Sequence, residues 1–138
     1  MSLRILKLFF LAILFPLAGI FSCAGTPIPL IAILLAPQCV DNFNPGQTQQ
    51  FNACVFIDNV RQPGFENGAV TWSVLGGDVN GTITQDGFYT APNTNPPPAA
   101  DVTIIAVSKE DEQKQGQAMV IFAGQGTCDQ GNFAPECQ

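Results

Sequence analysis

Beyond residue 27 the chain is interrupted every few residues by glycine, proline or asparagine, and between the interruptions apolar residues recur at every second position. A spacing of two sends alternate side chains to opposite faces, which is the geometry of a strand with one buried face. Across 47–57, Phe51, Ala53, Val55 and Ile57 share one face, while Gln50, Asn52 and Cys54 share the other. Val70, Trp72 and Val74 alternate with Thr71 and Ser73, and Val102, Ile104 and Ala106 repeat the pattern. The run 28–36 is nearly all apolar and closed by Pro37, so it is expected to be a buried strand. Short β stretches at 81–84 and 88–90 flank Gln85-Asp86-Gly87, and 117–123 is the last strand. Between them lie a polar loop at 59–68, turns at Gly76-Gly77 and Asn80-Gly81, a proline-rich loop at 92–98 and a charged hairpin loop at 109–116. No stretch of this part keeps a helical period. The pattern predicts an all-β antiparallel sandwich of about seven strands. Trp72, the only tryptophan, and Phe51 are expected to anchor its core.

The beginning of the chain obeys a different rule. Arg4 and Lys7 precede an apolar stretch, 8–22, that ends in a small residue, Ser22, followed by Cys23. A cationic start, an apolar middle and a small residue before the cut describe an export signal. The apolar stretch is shorter than the ~20 residues a spanning helix needs, and Pro16 interrupts it. Residues 1–22 are therefore expected to be a cleaved signal segment, 23–27 a tether, 28–123 the sandwich and 124–138 a cysteine-containing tail. Ile20-Phe21-Ser22-Cys23 resembles the lipobox of bacterial lipoproteins. That resemblance implies a lipid on Cys23 and attachment to the bacterial envelope. Ala24, in place of the aspartate that signals inner-membrane retention in that family, favours the outer membrane or cell surface; otherwise the chain is secreted.

Charge narrows the partners. All eleven acidic residues follow the leader, against Arg61, Lys109 and Lys114, a net of −8. A polyanion would be repelled, which argues against nucleic acid. The absence of histidine removes the commonest general base and zinc ligand, and with it any Ser–His or Cys–His pair.

Five cysteines are an odd number for an exported chain. With Cys23 carrying lipid, Cys39, Cys54, Cys128 and Cys137 are left to pair, in one of three ways. Asn44-Pro45-Gly46-Gln47 is a turn signal between the first two. A hairpin centred between Gly46 and Gln47 sets Cys39 directly opposite Cys54, near enough to bridge. The expected pairs are thus Cys39–Cys54 and Cys128–Cys137. The long spacings and the lack of a Cys-x-x-Cys make a metal site the poorer use of four thiols.

Several runs together resemble one family. Gly46-Gln47-Thr48-Gln49-Gln50-Phe51-Asn52-Ala53, Val70-Thr71-Trp72-Ser73-Val74, Gly81-Thr82-Ile83, Asp86-Gly87-Phe88-Tyr89-Thr90-Ala91-Pro92 and Val102-Thr103-Ile104 with Ala106 and Ser108 are similar, in this order, to bacterial Ig-like domains of the group 2 type. The resemblance covers about 28–123. It implies a β-sandwich of the kind found in invasin- and intimin-type adhesins, in surface-layer and phage structural proteins and as spacers in secreted enzymes, with no catalytic residues to carry over. Cys39, Cys54 and the tail depart from that pattern.

The candidate carboxylates are Asp78, Asp86, Asp101 and Glu110-Asp111-Glu112. Nothing in their spacing pairs two of them for acid–base work on a sugar, and no Asp-x-Asp-x-Asp-Gly calcium loop is present. Asn80-Gly81-Thr82 has the form of a glycosylation acceptor but reads as a turn, and Phe65 and Phe133 are aromatic side chains on exposed loops. The expectation is a non-catalytic module without cofactor or metal, acting in cell-surface adhesion or envelope structure. Its partners would be the membrane, through the N-terminal lipid, and a protein or polysaccharide at the surface. The alternatives are a filament subunit joined through 28–35 and an accessory carbohydrate-binding module.

Overall fold

A computed structural model describes residues 29–64, 66–95, 97–129 and 137. Ten strands form in chain order: β1 (Ile31–Ala36), β2 (Cys39–Phe43), β3 (Thr48–Gln50), β4 (Asn52–Ile57), β5 (Val60–Arg61), β6 (Val70–Val74), β7 (Thr82–Ile83), β8 (Phe88–Thr90), β9 (Asp101–Ser108) and β10 (Gln115–Phe122). Short 3-10 turns lie at Asn67–Ala69 and Gly77–Asn80. Three open sheets result, ordered β1-β4-β5, β2-β10-β9-β6 and β3-β8-β7. All strand pairs are antiparallel except β2 with β10, which run parallel.

The period-two segments become strands where their spacing places them. Val70 and Trp72 are buried while Thr71 and Ser73 are exposed, and β9 buries Val102, Ile104, Ala106 and Ser108. The inward residues of the three sheets meet in one core that includes Trp72, Phe51, Phe43, Tyr89 and Phe122. Aromatic rings knit its centre. Phe43 lies 5.9 Å from Tyr89 and 6.4 Å from Phe122 between centroids, and Phe51 lies 6.5 Å from Tyr89. Offset and edge-on contacts at such distances add to the area these rings bury.

Three expectations need correction. The first concerns pairing. Cys39 is bonded to Cys128, and Cys54 to Cys137, with Cα–Cα separations of 5.9 and 5.8 Å. The hairpin that was to join Cys39 to Cys54 does not form. Asn44 and Gln47 do make a turn, with the Gln47 amide donating to the Asn44 carbonyl, but the Gly46 amide goes to Pro92. The turn thus carries the chain from one sheet to another instead of back along the same one. Cys39 lies opposite Met119 of β10, whereas Cys54 lies opposite Leu34 of β1.

The second correction is that 47–57 is not one strand. It divides at Phe51, whose amide donates to the Gly87 carbonyl at 2.8 Å. β3 pairs with β8 and β4 with β1. The polar stretch after it is also not all loop. Asp58 and Asn59 both have positive φ (51° and 63°) and close a two-residue hairpin into β5, the turn that matches strand twist.

The third correction concerns the first apolar run. Residues 28–36 are expected to form a buried strand, and the strand that forms is Ile31–Ala36. β1 buries Ile31, Ile33 and Leu35, with Ala32 exposed. Leu34 and Ala36 pack on a second apolar cluster, formed by Cys54, Phe56 and Cys137 on the far face of β4. β4 is therefore covered on both faces. The apolar excess that looked like two-sided burial of β1 serves this satellite core.

Candidate functional site

β2 runs parallel to β10, and β9 is antiparallel to both β10 and β6, so β2, β6 and β10 point the same way. β1 leads directly into β2. The molecule thus has a proximal pole, where β1 begins, and a distal pole, where β2, β6 and β10 end.

The distal pole carries an ordered apolar loop after β6. Leu75 and Val79 stand 58% and 61% exposed there, whereas most large apolar side chains of the fold are inside. The loop between them is tied down at each step. The Leu75 amide donates to the Thr103 carbonyl at 2.9 Å, and the Gly81 amide donates to the Asp78 carbonyl at 3.1 Å. Asn80 Nδ2 donates to the Leu75 carbonyl at 2.8 Å, and Tyr89 Oη donates to the Asn80 carbonyl at 2.7 Å. Gly81 sits at φ 105°, and a Cβ there would lie 2.5 Å from the Thr90 carbonyl oxygen and 2.8 Å from the Tyr89 ring. Only glycine fits such a position. A cleft of about 390 Å3 opens beside the loop, lined by Trp72, Val74, Asp78, Gly81, Thr82 and Ile83. The site offers shape and apolar contact, and Asp78 supplies the one charge in its lining.

A second groove, of about 480 Å3, lies on the outer face of β9 and β10 beside the Cys39–Cys128 bridge. Gln38, Thr103, Gln117, Met119, Ile121 and Asp129 line it. The Cys128 amide donates to Asp41 Oδ2 at 3.0 Å, which fixes the tail at the groove's rim.

The residues singled out from sequence fall as follows. Trp72 and Phe51 lie in the main core, at 4% and 0% exposure. Trp72 Nε1 is buried with no hydrogen-bond partner among the described residues. The candidate carboxylates are not brought together. Asp78 is on the distal loop, Asp86 on the β7–β8 turn, Asp101 at the start of β9, and 110–112 in the β9–β10 loop. No cluster of three metal-binding side chains exists among the described residues. The Asn80 amide is already engaged by Leu75, as expected for a turn residue and not for a sugar attachment point. Cys23, Phe65 and Phe133 lie outside the described residues. So does the leader; among the described residues no helix is long and apolar enough to cross a membrane.

Two polar residues matter more than their sequence context announces. Asn67 accepts the Ala53 amide at 2.7 Å and donates to the Asp86 carbonyl at 2.8 Å, bridging the β3–β4 break to the β7–β8 turn. Buried Ser108 accepts the amides of Glu110 and Asp111 at 3.1 and 3.2 Å and shapes the loop before β10. An Asn-Gly pair in a polar loop was the only hint of the first.

No family model matches the sequence, and no curated protein matches it. Two disulfides linking distant segments mark the chain as extracytoplasmic.

Proposed function

We propose that the chain is an Ig-like module of the bacterial group 2 type, lipid-anchored through Cys23, that works without catalysis in surface adhesion or envelope structure. Topology supports the Ig-like part. Taken as one strand interrupted at Phe51, β3 and β4 give a sheet of order β1, β4/β3, β8, β7 facing a sheet of order β2, β10, β9, β6. This arrangement is similar to the two sheets of an Ig-like sandwich, with the first strand divided between them at Pro37. Joining β1 to β2 and β3 to β4 leaves eight strands, with β5 a short addition at the edge of β4.

The single observation that carries the functional part is the polarity of the molecule. The first described residues lie at the proximal pole, and the hydrogen-bonded loop with exposed Leu75 and Val79 stands at the distal one. An anchored module so built presents its apolar tip away from the anchor, and a surface protein is the partner such a tip fits. The filament alternative is less favoured, because β1 would have to leave β4, with which it pairs along its whole length.

The test is adhesion of cells that display the chain to protein-coated surfaces, compared with cells displaying Leu75→Asp/Val79→Asp. Adhesion is expected to drop about tenfold or more, with the melting temperature of the purified variant changed by only ~2 °C. Equal adhesion by the variant and the parent would reject the distal tip as the contact.

A further inference from the structure

We propose that the proximal pole is itself a membrane-contact surface, seated on the phospholipid bilayer with Leu30 and Val60 toward the lipid. The proposal rests on the anchoring of Cys23 and extends it to an orientation of the whole module.

Three observations converge. Leu30 is 54% and Val60 64% exposed, and both belong to the same corner. The Leu30 amide donates to Asp58 Oδ1 at 2.9 Å, the Asp58 amide returns a bond to the Leu30 carbonyl at 2.9 Å, and Val60 follows on the same hairpin.

The second observation is the distribution of charge. Arg61 lies on β5 beside this corner, and Lys109 and Lys114 lie in the β9–β10 loop at the same pole. These are all the cations beyond the leader. The pole also holds Asp58, Glu110, Asp111 and Glu112, so it is mixed rather than basic. Glu66, which begins the turn before β6, adds a further acid near this pole, and Asp41, Asp78, Asp86 and Asp101 lie elsewhere. The pole is still net negative, but it is the only side that offers an anionic headgroup layer any cation.

The third observation is reach. Residues 24–29 separate Cys23 from Leu30, and the seven residue steps between the two extend at most about 25 Å. That is shorter than a small domain, so a lipid on Cys23 holds this pole within touching distance of the headgroups. Leu30 and Val60 are the side chains this rim offers to the interface, while Arg61 turns its guanidinium back along β4, with Nη2 3.9 Å from Cys54 Sγ.

The test uses the full chain, expressed with its leader and recovered in its exported, disulfide-bonded form. Val60→Trp and, at the other pole, Val79→Trp are incorporated into vesicles of phosphatidylcholine and phosphatidylglycerol with brominated acyl chains. Trp72 is buried and gives the same background in both. The emission added by Val60→Trp is expected to fall by about half, since an indole at that corner lies at the interface, while that added by Val79→Trp is unchanged. Adding Leu30→Asp should remove most of the quenching. The mass of the N-terminus is read on the same samples. A lipid on Cys23 with no quenching at position 60, or with equal quenching at 60 and 79, overturns the orientation and leaves the anchor standing. An unlipidated N-terminus overturns the anchor, and the orientation with it.

Discussion

Tyr89 is the only tyrosine and its hydroxyl is committed to the Asn80 carbonyl. Burial pushes its phenol up to about 12, from an unfolded value near ~10. The neutral form is thus the one the fold accommodates. Stability should be flat with respect to Tyr89 below about pH 10 and should decline as pH rises toward ~12, where the folded protein begins to ionise it. Urea midpoints measured across that window should show the decline, and Tyr89→Phe should flatten it. Gly87 makes a second point at this scale. Its φ is 83°, and a Cβ there would run into the Phe51 carbonyl and sit 3.0 Å from Trp72 Cζ2. Gly64 has nearly the same φ, 81°, with nothing among the described residues within 4 Å of such a Cβ. Gly87→Ala should therefore cost about 3 kcal/mol and Gly64→Ala only ~1 kcal/mol, because both strain the backbone but only the first also clashes. Equal losses in equilibrium unfolding would mean that backbone strain alone governs Gly87.

At the scale of elements, β4 is the member that holds the proximal half together. It pairs with β1 and β5 at its edges, turns Ala53 and Val55 to the main core and turns Cys54 and Phe56 to the satellite cluster under Cys137. The two bridges close similar lengths of chain, 83 and 89 residues apart in sequence. Removing either should cost about 3–4 kcal/mol by chain entropy. Their local effects should differ. Cys54→Ala/Cys137→Ala should speed amide exchange first in β1 and β4, and Cys39→Ala/Cys128→Ala first in β2 and β10. Identical exchange patterns would show that the bridges act only on the unfolded chain. The strands themselves were legible in the sequence, since alternation at Val70–Val74 or Val102–Ala106 is a local property. Their partners were not. The Cys39–Cys54 hairpin assumed that successive strands pair, and the chain violates this where it changes sheets, at Pro37, at Gly46 and at Phe51. No local signal separates a turn that reverses a strand from one that crosses to another sheet.

At the scale of the molecule, the tail between Cys128 and Cys137 links covalently to both layers, through β2 on one side and β4 on the other. A domain of this size buries a modest fraction of its surface, and two long-range bridges raise its stability where a larger core is not available. The distal tip was only partly legible. Gly76-Gly77 and Asn80-Gly81 announced turns there, but the exposure of Leu75 and Val79 depends on Asn80 and Tyr89 folding the loop outward, a contact between separate segments. The central claim is that the tail ties the two layers together, and disulfide mapping tests it most directly. Cleavage of the unreduced protein on the N-terminal side of aspartate separates Cys39 from Cys54 at Asp41, and Cys128 from Cys137 at Asp129. The fragment ending at Val40 should be joined to 111–128, and 41–57 to 129–138. A bond between the fragment ending at Val40 and 41–57, or between 111–128 and 129–138, would contradict the claim.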